Sequence, residues 1–164
     1  MLAAALLPPD WRVAGALGGF PFAVIAAVSA WRGRGAPSPA RVAQVDAAVR
    51  AMAWPAFADL LEQAFRRDGH AVERIGGGAD FVLRRQGRTL LVSARRWKSA
   101  RTGLEPLREL QASREKADAA ALCIGLGDIS SPAMAFAAEH RIAIWQAAEL
   151  AHALRGMPMP PLKG

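Results

Sequence analysis

The chain is poor in the residues that most often carry chemistry. A single cysteine, Cys123, stands among 164 residues; it excludes an internal disulfide framework and fits a reducing compartment. Within the apolar run Ala119 to Ile124 it reads as a small buried hydrophobe. The three histidines, His70, His140 and His152, are scattered without ligand spacing, which argues against a zinc site. There is no Gly-x-Ser-x-Gly elbow and no paired Cys/His constellation, so nucleophilic catalysis has no candidate. Gly76-Gly77-Gly78 is followed by neither Gly-Lys-Ser/Thr nor a helix, which counts against a phosphate-cradling loop. Acidic residues are also scarce, 14 against 21 Lys and Arg, for a formal charge of +7. That balance points to an anionic partner, nucleic acid or anionic lipid, without choosing between them.

Apolar residues are plentiful at 52%, enough for one compact domain with an appendage. The appendage reads from the first third of the chain. Residues 13–31 carry no charge and, at ~1.5 Å per helical residue, can cross a hydrocarbon core of roughly 30 Å. Trp11 and Trp31 bracket the run as interfacial anchors, and Arg32, Arg34 and Arg41 follow it. These features predict one transmembrane helix, single-pass in the inner (cytoplasmic) membrane, with the C-terminal part in the cytoplasm. A signal peptide cleaved at Val28-Ser29-Ala30 is the rival reading; it lacks a basic n-region, and arginines follow its cleavage site at once.

The stretch that organises the rest is Ile75 to Lys98. Asp80 opens an apolar run, Phe81-Val82-Leu83, and a turn at Gln86-Gly87 leads to a second run from Thr89 to Ala94. This is a β-hairpin pattern. Extended to Lys98, strand alternation puts Ser93, Arg95 and Trp97 on one face and Val92, Ala94 and Arg96 on the other. An acid opening one strand and a polar i, i+2 pair ending its neighbour then meet at one edge of a sheet, the layout of a metal-dependent nuclease site.

Three stretches, FADLLEQAFRRDGH (57–70), GGGADFVL (76–83) and LVSARRWK (91–98), together resemble the Mrr-like (type IV) restriction endonuclease domain of the PD-(D/E)xK nucleases. The resemblance implies a catalytic and metal-binding aspartate at Asp80, with Mg²⁺ or Mn²⁺ as cofactor and double-stranded DNA as partner, in the restriction of foreign DNA. It implies a Glu or Gln at position 93 and a Lys at position 95, where this chain has Ser93 and Arg95. It also implies a Glu at position 58, where Ala58 stands, with Asp59 displaced by about 100° round the helix. Asp80, Ser93 and Arg95 are therefore the candidate catalytic residues of a degenerate site. Arg84, Arg85, Arg88, Arg96, Trp97, Lys98 and Arg101 are the candidate DNA contacts, Trp97 as a stacking or packing group.

Reading element by element gives an amphipathic helix after a Ser38-Pro39 cap and a second helix from Pro55 to Arg67 with Phe57, Leu60, Leu61, Ala64 and Phe65 on one face. Three strands, a helix over 104–117, a strand over 119–125, a helix to Glu139, a strand over 142–145 and a closing helix over 147–154 follow. This predicts an α/β fold with the restriction-endonuclease-like αβββαβ core, a mixed central sheet flanked by helices and preceded by one transmembrane helix. The organisation is then 1–35, an N-terminal segment with the transmembrane helix; 36–53, a linker and amphipathic helix; 54–156, the endonuclease-like domain; and 157–164, a flexible tail. Oligomeric state is open, a homodimer included.

Overall fold

The computed structural model describes residues 35–160. Helix α1 (Pro39–Ala51) starts where Ser38 accepts the Arg41 N–H at 3.2 Å, with proline in the first turn. Its Val45 and Val49 are fully buried, so it packs on the domain. Helix α2 (Trp54–Arg67) buries every residue of the predicted apolar face, including Phe57 and Phe65. Phe65 lies 6.2 Å from Phe81 and 6.1 Å from Trp145, which seats α2 across the sheet.

Strands β1 (Ala71–Arg74), β2 (Phe81–Arg85) and β3 (Arg88–Ser93) form an antiparallel meander. The turn between β2 and β3 places Gln86 at φ 50° and Gly87 at φ 74°, the left-handed pair that matches strand twist in a two-residue hairpin. A two-residue strand β4 (Arg101–Thr102) leads into helix α3 (Leu104–Ala117). Strand β5 (Ala120–Ile124) follows, then β6 (Asp128–Ile129), helix α4 (Ser131–Glu139), strand β7 (Ala143–Trp145) and helix α5 (Ala147–Ala153). The main sheet runs β1-β2-β3-β5-β7, with β5 parallel to β3 and to β7, so it is mixed as expected. Its faces alternate cleanly. Val82, Leu91, Ala121 and Cys123 join Leu107, Leu110, Ala133 and Ala137 beneath α3 and α4. Phe81 turns to the α2 side.

Two expectations about this region are corrected. The segments 99–103 and 127–131, expected to be loops, each contain a two-residue strand, and β4 and β6 pair in parallel as a second sheet. Strand β3 ends at Ser93, not Ala94, and residues 95–98 form a turn, so strand alternation does not extend to Arg95 and Trp97. Among the described residues no helix is long and apolar enough to cross a membrane; the predicted transmembrane helix at about 13–31 lies outside them.

Candidate functional site

The hairpin register pairs Phe81 with Val92, and one further step places Asp80 opposite Ser93. Both then share the α3 face with Cys123, because Ser93 pairs with Cys123 across the parallel β3–β5 ladder. Asp80 is fixed on all sides. Its N–H donates to the Val92 carbonyl at 2.7 Å, and its own carbonyl accepts from the Ile75 N–H at 2.9 Å. Asp80 as a whole is 7% exposed. Oδ2 accepts the N–H groups of Ala94 at 2.8 Å and Arg95 at 2.9 Å, and Oδ1 faces the Arg95 Nε at 3.2 Å. Arg95 in turn lays its guanidinium 5.3 Å from the centroid of the Trp54 ring. The structure thus brings Asp80 and Arg95 into contact and sets Ser93 across the ladder from Asp80.

A carboxylate offers about four acceptor positions, and three of those on Asp80 are taken by this chain's own donors. The other requirements of a divalent-metal site are also unmet. Mg²⁺ takes hard oxygen ligands, usually carboxylates. Ser93 brings a neutral hydroxyl, Ala58 is buried without a polar group, and Asp59 is held by Arg74 at 2.5 Å. Among the described residues no group of three His, Cys, Asp or Glu side chains could hold a metal ion. With the Arg95 cation 3.2 Å from Oδ1, the donor set does not fit magnesium. Nor does Arg95 supply a base, since a guanidinium offers donors and no acceptor.

The predicted basic cluster divides in two. Arg84, Arg85 and Arg88 sit at the turn end of the hairpin, roughly 17 Å of strand away from Ser93. There Arg84 pairs with Glu73 at 2.9 Å and Arg85 donates to the Asp68 carbonyl at 2.9 Å. Arg95, Arg96, Lys98 and Arg101 surround the other end of β3 and are exposed. Lys98 places its Nζ 5.0 Å from the centroid of the Trp97 ring, which leaves the Asp80 carboxylate to Arg95. Trp97 itself is 4% exposed, packs 4.7 Å from Phe57 and 5.7 Å from Trp54, and donates its Nε1–H to the Val49 carbonyl at 3.1 Å. Of its two expected roles it takes packing: its ring faces are not open to a nucleic-acid base.

Beside Ser93 opens a pocket of about 150 Å³ between the end of β3 and the start of α3. Ser99, Thr102 and Cys123 line it and were not among the sequence candidates. Burial, with the nearby Asp80 charge adding to it, pushes the Cys123 thiol up to about 11, so it stays protonated at neutral pH.

A family profile described as a restriction endonuclease matches residues 49–154, from the end of α1 to the end of α5. The chain belongs to this family. Membership in the restriction endonuclease family agrees with the mixed central sheet flanked by helices. Nucleases of this family act on DNA and typically use Mg²⁺. In this member the partners of Asp80 depart from what that metal needs. A crystal structure of a protein of unknown function, AF1548, is similar at 16% identity with a TM-score of 0.44; the likeness covers 52% of this chain and 53% of that one. No curated protein matches the chain.

Proposed function

We propose that this restriction endonuclease family member binds DNA through the basic end of β3 and carries a degenerate, weak phosphodiesterase site. The observation that carries this reading is the engagement of Asp80 by the Ala94 and Arg95 amides and the Arg95 guanidinium. Loss of a well-placed charge stabiliser alone costs roughly 10²–10³ in rate. Phosphate binding asks less, because exposed arginines contact a DNA backbone whatever the fate of the metal site. The basic residues at that end, if they neutralise four phosphates, make DNA affinity fall on the order of 100-fold between 50 and 200 mM salt.

Family membership favours a second reading, an active Mg²⁺-dependent endonuclease in restriction of foreign DNA. Nicking of supercoiled plasmid by the full chain with Mn²⁺, run beside Asp80→Asn and Arg95→Lys, separates the two. The expected result is salt-sensitive binding by the native chain, with at most trace nicking by it and by Arg95→Lys, because Ser93 and Ala58 still leave a metal short of carboxylates. Efficient nicking by the native chain, many turnovers per molecule, that Asp80→Asn abolishes would establish the second reading and end the first. Absence of salt-dependent DNA binding would remove both.

The apolar run 13–31, with arginines behind it, supports a tether holding the domain at the cytoplasmic face of a membrane. In cell fractionation the chain should sediment with membranes and resist carbonate extraction, whereas recovery in the soluble fraction would refute the tether.

A further inference from the structure

We propose that the pocket between the end of β3 and the start of α3 is a phosphate-binding site, with Arg96 and Arg101 reaching the anion and the hydroxyls of Ser93 and Thr102 completing its cage. Four observations meet there. Arg96 and Arg101 line the pocket, are exposed, and take part in no ion pair among the described residues. Helix α3, 14 residues long, has Gly103 as its N-cap residue with no side-chain cap; Gly103 and Pro106 stand in the pocket wall, so the positive end of the helix dipole lies beside the same space, although Pro106 has no N–H to offer. Glu105, in that first turn, is 71% exposed, lies 3.9 Å from Arg108 and is not part of the pocket wall.

The third observation is independent of the helix. Thr102 is 7% exposed and lines the pocket, yet its hydroxyl has no hydrogen-bond partner among the described residues. The buried side-chain atom left without a partner among the described residues is Gln111 Oε1, so the Thr102 hydroxyl is reached through the pocket and is free to donate to a ligand oxygen there. Gly125 makes room for this hydroxyl, since a Cβ at that position would stand 2.8 Å from the Thr102 Oγ1. Fourth, the pocket wall contains no carboxylate: Ser93, Ser99, Thr102 and the thiol of Cys123 supply its polar atoms beside the two arginines. At about 150 Å³ it is smaller than the roughly 300–1,000 Å³ of sites for drug-sized ligands. It therefore suits a tetrahedral oxyanion, while a base and sugar stay outside.

Two sources offer that chemistry, free inorganic phosphate and a phosphate borne by a DNA strand. The DNA source rests on the function proposed above; the anion site does not. The test titrates the full chain with inorganic phosphate by calorimetry and ³¹P line broadening, beside Arg96→Gln, Arg101→Gln and the near-isosteric Thr102→Val. The expected result is saturable one-site binding that weakens at least tenfold in each arginine variant and measurably in Thr102→Val, with unchanged circular dichroism. A second arm compares duplexes of one sequence with 5′-phosphate and 5′-hydroxyl ends. Preference of tenfold or more for the phosphorylated end, lost in Arg101→Gln, assigns the site to strand ends; equal affinity with inorganic phosphate still bound assigns it to the free anion. Absence of saturable phosphate binding by the native chain, or binding unchanged in both arginine variants, overturns the site. Phosphate bound without any affinity for DNA would leave this site standing and remove the DNA reading alone.

Discussion

Replacing Asp80 with alanine is expected to lower the stability of the domain by about 3 kcal/mol, because the Ala94 and Arg95 amides would lose their acceptor in a buried place at a cost of ~1–3 kcal/mol each. The lost Arg95 ion pair adds little, since that side chain is 63% exposed. Asp80→Asn keeps an oxygen that can take both amides, so it should cost less than half as much. Urea unfolding followed by circular dichroism reads both. An aspartate kept for a metal would behave differently: its removal leaves stability unchanged or raises it by relieving charge in an open site. A denaturation midpoint for Asp80→Ala equal to that of the native chain would contradict this structural role.

Gly127→Ala is expected to be as damaging for a steric reason. A Cβ at this position would overlap the carbonyl oxygens of Ser99 and Ala100 and stand 2.5 Å from the Ala100 carbonyl carbon. All three are backbone atoms, held in turn by the Asp128 N–H donating to Ala100 at 3.0 Å. Neither side can yield without parting β4 from β6. Overpacking of this kind costs about 3 kcal/mol, a fall of roughly 10 °C in Tm for a domain of this size. Gly76→Ala is the control, since nothing lies within 4 Å of its Cβ. Equal melting temperatures for the two variants would mean that the close approach at Gly127 is not maintained in solution.

The parts of the fold that could be read from the sequence are those specified by near neighbours. Gln86-Gly87 marks the hairpin because two adjacent left-handed residues are a local requirement, and the α2 face follows from spacing alone. Four things depended on distant partners. Strands β4 and β6 have two residues each, too few to show any alternation, and they exist because each finds the other across the fold. The alternation argument carried Ser93, Arg95 and Trp97 onto one face, but the chain turns after Ser93, and the two Asp80-bound amides fix that turn. Trp97 sits among Arg95, Arg96 and Lys98 in sequence, which admits stacking as well as packing; the partners that decide for packing, Trp54, Phe57 and the Val49 carbonyl, are some 40 or more residues away. The i, i+3 aromatic pair at Trp54 and Phe57 was the available signal that a third large ring would be drawn inside. The pocket was hidden for the same reason, since Ser93, Thr102 and Cys123 become neighbours only through the β3–β5 ladder and the uncapped start of α3.

The parallel pairing of β4 with β6 is flanked by further backbone bonds, from Leu126 to Trp97 and from Ser130 to Thr102, each at 3.0 Å. The segment that carries Arg95, Arg96, Lys98 and Arg101 is therefore ordered before any partner arrives. Fixing one residue's backbone costs about 1–2 kcal/mol of conformational entropy. A floppy segment of the same length would subtract that sum from every encounter with an anion, whereas here the loss belongs to folding and the arginines meet their partner already aligned.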